Sequence, residues 1–253
     1  MSIYQPSSGT MARIKRRVAP YQSRRNLSVK LDRPLVSFTF DDCPKSVMNN
    51  ALKPLETEGW QATIYMAMGR CGITNHLGLH MNQADVKAVY ESGHEIGDHT
   101  FSHLDGTAVS LEAFEADIEE NQTRLNKLGL PPSKTFAYPY GQVTAPLKKA
   151  MGQRFLGSRG ITSQLHKSNI DLNQIGSNRL YAGRDVSKLI KQINNLKRNP
   201  GWLTIFTHDV RDTPSRFGCT PGQMKTVINA VKSVGADIMT VANAIEHMER
   251  SHA

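Results

Sequence analysis

Cysteine is scarce: Cys43, Cys71 and Cys219 lie far apart, with no C-x-x-C pair. That spacing excludes a disulfide framework and points to free thiols in a reducing compartment. Long apolar runs are also missing, and none approaches the ~20 residues that cross a bilayer. The first thirty residues are polar and basic and carry no apolar core of a secretory signal. Arg24-Arg25 follows Ser23 as in a twin-arginine signal, but the apolar stretch that should come next is absent. The expectation is cytoplasmic residence. No internal repeat, low-complexity block or linker divides the body.

Acid is missing from residues 1–31, which hold Arg13, Lys15, Arg16, Arg17, Arg24, Arg25 and Lys30. The formal net charge of +9 is therefore mostly a property of this segment. The remainder has 24 basic and 22 acidic side chains, a net of +2. Residues 1–33, with Pro6, Gly9 and Pro20 and no periodicity, read as a loose basic arm. Such arms touch nucleic acid, anionic lipid or acidic polymer nonspecifically, or are simply solvated.

What is present is an alternation. Strand-type runs fall at 35–41, 61–67, 94–98, 134–138, 153–158, 202–208 and 236–241. Helical patterns fall near 46–58, 83–92, 111–128, 185–197, 221–233 and 241–250. In 111–128, apolar residues recur at Leu111, Phe114, Ile118, Leu125 and Leu128, after Ser110 as N-cap and before Gly129 and Pro131-Pro132. The 253 residues suffice to bury a substantial core. Seven strands alternating with helices predict an α/β fold with a parallel sheet covered by helices. A closed or nearly closed (β/α) barrel over 34–253 fits best, with an open doubly wound sheet as the alternative.

Ligands in such sheets bind at the carboxyl ends of the strands. "SFTFDDC" ends the first strand in Asp41 and Asp42. "GHEIGDHTFSH" supplies His99 and His103 after the third. "FAYPYG" brings Pro139, Tyr140 and Gly141 after the fourth, and "IFTHD" brings His208 and Asp209 after the sixth. His99-x-x-x-His103 can turn two imidazoles toward one metal, and a carboxylate completes a two-His-one-carboxylate set with positions left open. Zinc is the first expectation, and iron, cobalt or manganese accept the same ligands. One aspartate would bind the metal and the other work beside it. That requires the strand to end there, because neighbours within a strand face opposite sides.

Taken together, these motifs resemble the polysaccharide deacetylase family, the NodB-homology domain of carbohydrate esterase family 4. The likeness covers about residues 34–245 and implies a distorted (β/α) barrel of about seven parallel strands. It rests on "TFDD" (39–42), "HTFSH" (99–103), "YPYG" (138–141), "FTH" (206–208) and the last strand "GADIMTV" (235–241). The resemblance implies Asp41 as catalytic base, Asp42, His99 and His103 as metal ligands, and His208 as general acid. It also implies a substrate-binding turn at Pro139 and Tyr140, with the Tyr140 N–H helping to bind the oxyanion. The implied substrate is an acetylated glycan or oligosaccharide, losing N-acetyl or O-acetyl groups.

The sequence also departs from that pattern. Cys43 stands where the family commonly has Gly, and is expected to pack inward rather than approach the metal. Ala137 and Tyr138 occupy the places of an Arg and a Pro, so the usual cationic partner of Asp41 is missing, and Arg159 is the candidate replacement. Asp171 and Trp202 are the candidates for a fourth motif with no clear counterpart. His94 is expected to be a buried structural histidine. His76, His80, His166, His247 and His252 are expected at the surface. Two rival readings are a cyclic amide or ureide hydrolase of the allantoinase type, and a weakly catalytic glycan- or polyanion-binding module.

Overall fold

The computed structural model describes residues 18–28 and 30–250. Its main sheet contains β1 (Leu35–Asp41), β2 (Thr63–Met66), β3 (Glu95–Asp98), β4 (Thr135–Ala137), β5 (Gly157–Arg159), β6 (Asn178–Arg179), β7 (Trp202–Thr207) and β8 (Asp237–Ile238). Seven of them run parallel in the order β6-β7-β1-β2-β3-β4-β5. This is the half-barrel of a distorted (β/α) barrel. β8 also pairs with β1, at Leu35 and Val36, where β2 has not yet joined it. The helices are α1 (Lys53–Thr57), α2 (Gln83–Glu91), α3 (Leu111–Lys127), α4 (Ala145–Arg154), α5 (Val186–Leu196), α6 (Pro221–Ser233) and α7 (Val241–Arg250).

β1 is buried along its whole length, as expected of a parallel strand covered on both faces. Val36, Phe38, Ile64, Ile96, Leu203 and Ile205 from the sheet join Leu189, Ile193, Val227 and Val231 from the helices in one core. Ser110 and Thr220 accept hydrogen bonds from the backbone N–H groups three residues on, fixing the starts of α3 and α6.

Residues 153–158 were expected as a strand. Gln153 and Arg154 instead close α4, and β5 begins at Gly157. This helix is only weakly amphipathic: Pro146, Lys148, Lys149 and Gln153 interrupt its apolar face, which hides its period. The last strand is also shorter than 236–241, because Val241 already starts α7.

Residues 1–17 of the expected arm lie outside the described residues, and the described part is not loose. Asn26–Ser28 pairs antiparallel with Asn169–Asp171. Arg25 donates to the carbonyls of Gly152 and Phe155 (both 2.9 Å) and of Leu156, holding oxygens that the end of α4 leaves open. Fully buried Lys148 donates to the Pro20 carbonyl at 3.0 Å and pairs with Asp171 at 2.5 Å. Part of the basic charge read as a solvated tail is therefore spent in fastening the segment to the barrel.

Candidate active site

Register brings the chemistry to one rim. Asp41 pairs with Tyr65, Met66 with Asp98, Asp98 with Phe136 and Ala137 with Arg159, so the strand ends form a row. Among the described residues six non-glycine positions have positive φ. Five of them are Asp42, Cys43, Thr100, His103 and Tyr140, all in the loops leaving this row. Left-handed backbone costs a side-chain-bearing residue on the order of 1 kcal/mol. At Asp42 (φ 61°) and Cys43 (φ 56°) it breaks the strand alternation. That turn lets two adjacent carboxylates serve one cleft. The Cys43 thiol points inward and donates to the Tyr65 carbonyl at 3.4 Å.

Asp42, His99 and His103 are buried, and their ligand atoms all lie within 4.8 Å of one another. His99 Nδ1 lies 2.7 Å from the Ala137 carbonyl, to which it can only donate, so Nε2 is the free donor atom. His103 Nε2 is 3.4 Å from Asp42 Oδ1. Burial drives both imidazoles below their usual range, His103 most strongly, so they are neutral at neutral pH. Burial alone would raise Asp42; its neighbours His103, Arg70 and His99 outweigh it and hold the carboxyl far down. Two neutral imidazoles and a carboxylate are the protonation states a divalent cation requires. Neither Asp42 Oδ1 nor His103 Nδ1 has a hydrogen-bond partner among the described residues. The donor set fits a metal.

The HTFSH loop is braced from below. Buried Asp98 accepts from the Thr100 N–H and from Asn121 Nδ2, both at 2.8 Å, and burial pushes its carboxyl up to about 6. Asp117 of α3 accepts from the Ser102 N–H at 2.8 Å. The turn Met68–Arg70 packs on the loop through Gly69, where a Cβ would meet the Phe101 carbonyl at 2.6 Å. That close approach admits only glycine.

Arg159 fills the place left by Ala137. Its Nη2 lies 2.5 Å from both oxygens of Asp41, and its guanidinium is sandwiched near Phe206 (4.7 Å) and Tyr65 (5.2 Å). The cation comes from the neighbouring strand, in register with the alanine. Tyr138 is buried and donates to the Asn173 carbonyl at 2.8 Å.

The turn Pro139–Gly141 sets the Tyr140 ring edge-on to His103 at 4.3 Å. His208 follows β7, close enough to Asp42 and His103 to act on their ionisation. Its Nδ1 is buried without a hydrogen-bond partner among the described residues. Asp209 is spent on Arg211 and Ser215.

Neither proposed stand-in reaches this rim. Asp171 is bound by Lys148 beside the amino-terminal strand, and Trp202 sits at the opposite end of β7, donating to Ser37 Oγ. His94 is buried, accepting from the Ala62 N–H, as expected. His80 and His166, expected at the surface, are buried.

One residue of the site escaped the sequence reading. Arg70 Nη1 lies 2.8 Å from Asp42 Oδ1, off the line of a hydrogen bond, and Arg70 also hydrogen-bonds Tyr140. It belongs to none of the motifs, and a lone arginine in a turn gives no signal of its own.

Comparison with solved structures finds the same fold. An acetyl xylan esterase from Clostridium thermocellum, solved with a cobalt ion, is 21% identical over 83% of this chain and 89% of its own, with a TM-score of 0.58. A chitin deacetylase from Colletotrichum lindemuthianum is 17% identical over 85% and 89%, also with a TM-score of 0.58. A family 4 carbohydrate esterase from Streptomyces lividans, bound to acetate, is 18% identical over 82% and 91%, with a TM-score of 0.54. Comparison with curated protein sequences finds no match. The polysaccharide deacetylase family model matches residues 28–156, which carry the aspartate pair, both loop histidines and the Tyr140 turn. The chain belongs to the polysaccharide deacetylase family.

Proposed function

We propose that this chain is a metal-dependent hydrolase that removes acetyl groups, chiefly N-acetyl, from a glycan or oligosaccharide. The observation that carries the reading is the convergence of Asp42, His99 and His103 beside an Arg-paired Asp41 on the rim that His208 also reaches. Relatives named for chitin, xylan and peptidoglycan support the substrate class, and the cobalt ion in one of them supports the metal.

Asp42, His99 and His103 would hold the cation, with zinc the first choice. Bound there, it would lower the pKa of a water toward about 7 and polarise the acyl oxygen. Asp41 is the assigned base: a carboxylate oxygen takes the proton from the attacking water. Arg159 holds that carboxylate fixed in direction through contacts to both of its oxygens, its own position set by two aromatic faces. The acyl oxygen is assigned to the backbone N–H of Tyr140, on the support of that residue's left-handed turn beside His103. His208 is assigned to protonate the departing nitrogen, without which an amine is a poor leaving group.

The test is acetate release from a panel of acetylated glycans by metal-reconstituted protein, with Asp41→Asn as control. Release by the wild type and its loss in the variant are expected. Equal release by both would remove Asp41 from the mechanism. No release from any glycan would remove the function.

A further inference from the structure

The wall around His208 is aromatic and cationic. The rings of Tyr181 and Phe217 lie 6.0 and 5.5 Å from that of His208, and His76 stands edge-on to Phe217 at 6.1 Å. Three guanidinium groups belong to this wall. Arg179, at the carboxyl end of β6, is half-buried; it lies 5.6 Å from the centre of Phe206 and hydrogen-bonds Tyr181. Arg184 is exposed and near enough to bear on both Arg179 and Tyr181. Arg216 stacks on Phe217 at 4.4 Å.

The neighbouring arginines are spent on acids: Arg159 on Asp41, Arg70 on Asp42 and Arg211 on Asp209. Arg179, Arg184 and Arg216 are not; among the described residues no carboxylate lies within ion-pair distance of them. Asp185, next to Arg184 in sequence, caps α5 and faces Lys188 and Lys191. Burial first, and after it the like charges of Arg184 and Arg159, disfavour the cation at Arg179, while Tyr181 favours it. A folded chain holds such a like-charged group at a cost, which an anion entering the cleft would offset. The guanidinium fork matches a carboxylate in shape as well as charge.

We propose that Arg179, Arg184 and Tyr181 form an anion-recognising subsite beside His208, and that the glycan deacetylated here carries a sugar carboxylate adjoining the acetylated residue. The inference rests on the deacetylase reading above and narrows its substrate. Arg179 is a specificity-determining residue, acting on binding rather than on the reacting bond.

The test compares an N-acetylated oligosaccharide containing a uronic acid with its carboxyl-reduced counterpart, in acetate release by the metal-loaded full chain. The wild type prefers the acidic substrate by about tenfold in kcat/KM, the worth of a charge-assisted pair at a half-exposed site. Arg179→Gln brings that ratio toward unity, chiefly through KM, and ~0.5 M salt does the same to the wild type. Arg184→Gln, at an exposed position, lowers the ratio in the same direction by less, and guards against a folding defect in the first variant. Equal turnover of the two substrates by the wild type overturns the subsite, as does an equal loss on both in Arg179→Gln. Release from the reduced substrate alone overturns the subsite and leaves the deacetylase reading standing. Release from neither, nor from any other acetylated glycan, overturns both.

Discussion

Arg159 Nη2 lies 2.5 Å from each carboxylate oxygen of Asp41, and both side chains are out of solvent. Removing one partner of a buried pair leaves the other charge uncompensated, at a cost of about 3–5 kcal/mol. Arg159→Met is therefore expected to lower both urea stability and acetate release, the latter by roughly two powers of ten as the base loses its orientation. Asp41→Asn combined with Arg159→Met should regain much of the stability and none of the activity. If Arg159→Met kept wild-type stability and rate, the pair would have neither role.

His208 should matter in proportion to the leaving group. His208→Gln is expected to cut hydrolysis of an N-acetyl sugar by roughly 10²–10⁴-fold, the usual worth of a general acid. An activated acetate ester, whose leaving group needs no proton, should lose much less. Parallel rates on the two substrates read this out. Equal losses would mean that His208 binds substrate and does not protonate it.

Truncation separates the two halves of the basic amino-terminal segment. Deleting residues 1–17 leaves every described contact of that segment in place. Deleting residues 1–30 removes Arg25 from the end of α4 and the carbonyls that satisfy Lys148, exposing the Lys148–Asp171 pair. The longer deletion should lower the unfolding midpoint measurably, by at least the ~1–3 kcal/mol of buried groups left without partners. Identical midpoints for the two deletions would make the segment an ornament.

His166 gives a pH dependence with a definite sign. Burial against Trp202 lowers its pKa from 6.5 to about 4. Above the unfolded value both states are neutral and nothing is lost. As pH falls from about 6.5 toward 4, the unfolded chain takes up the proton and the folded one resists, a penalty of up to about 3 kcal/mol. Urea denaturation at pH 7.5 and 5 should show wild type losing more stability on acidification than His166→Gln. The same slope in both would place the acid sensitivity elsewhere.

The sequence made the strands and the rim legible because their signals are local. A β-rich run ending in Asp41-Asp42 marks both an element and its carboxyl end. The spacing of His99 and His103 marks one turn. Helix α4 was hidden because polar residues and Pro146 break its apolar period. Arg159 was in view as a strand-end cation, but register alone pairs it with Ala137 and so delivers it to Asp41. Arg70 carries no signal, since a turn residue becomes part of a site only when Gly69 lets that turn rest on the Phe101 carbonyl. His80 and His166 looked like surface residues because nothing in their neighbours announces burial. The barrel encloses them through contacts distant in sequence.

The central claim is most directly tested by metal content after reconstitution and desalting, read by inductively coupled plasma mass spectrometry. The account predicts a single divalent cation per wild-type chain and almost none in Asp42→Asn, His99→Gln or His103→Gln, each verified as folded by circular dichroism. A wild type that retains no cation, or folded variants that retain as much as it does, would contradict the account.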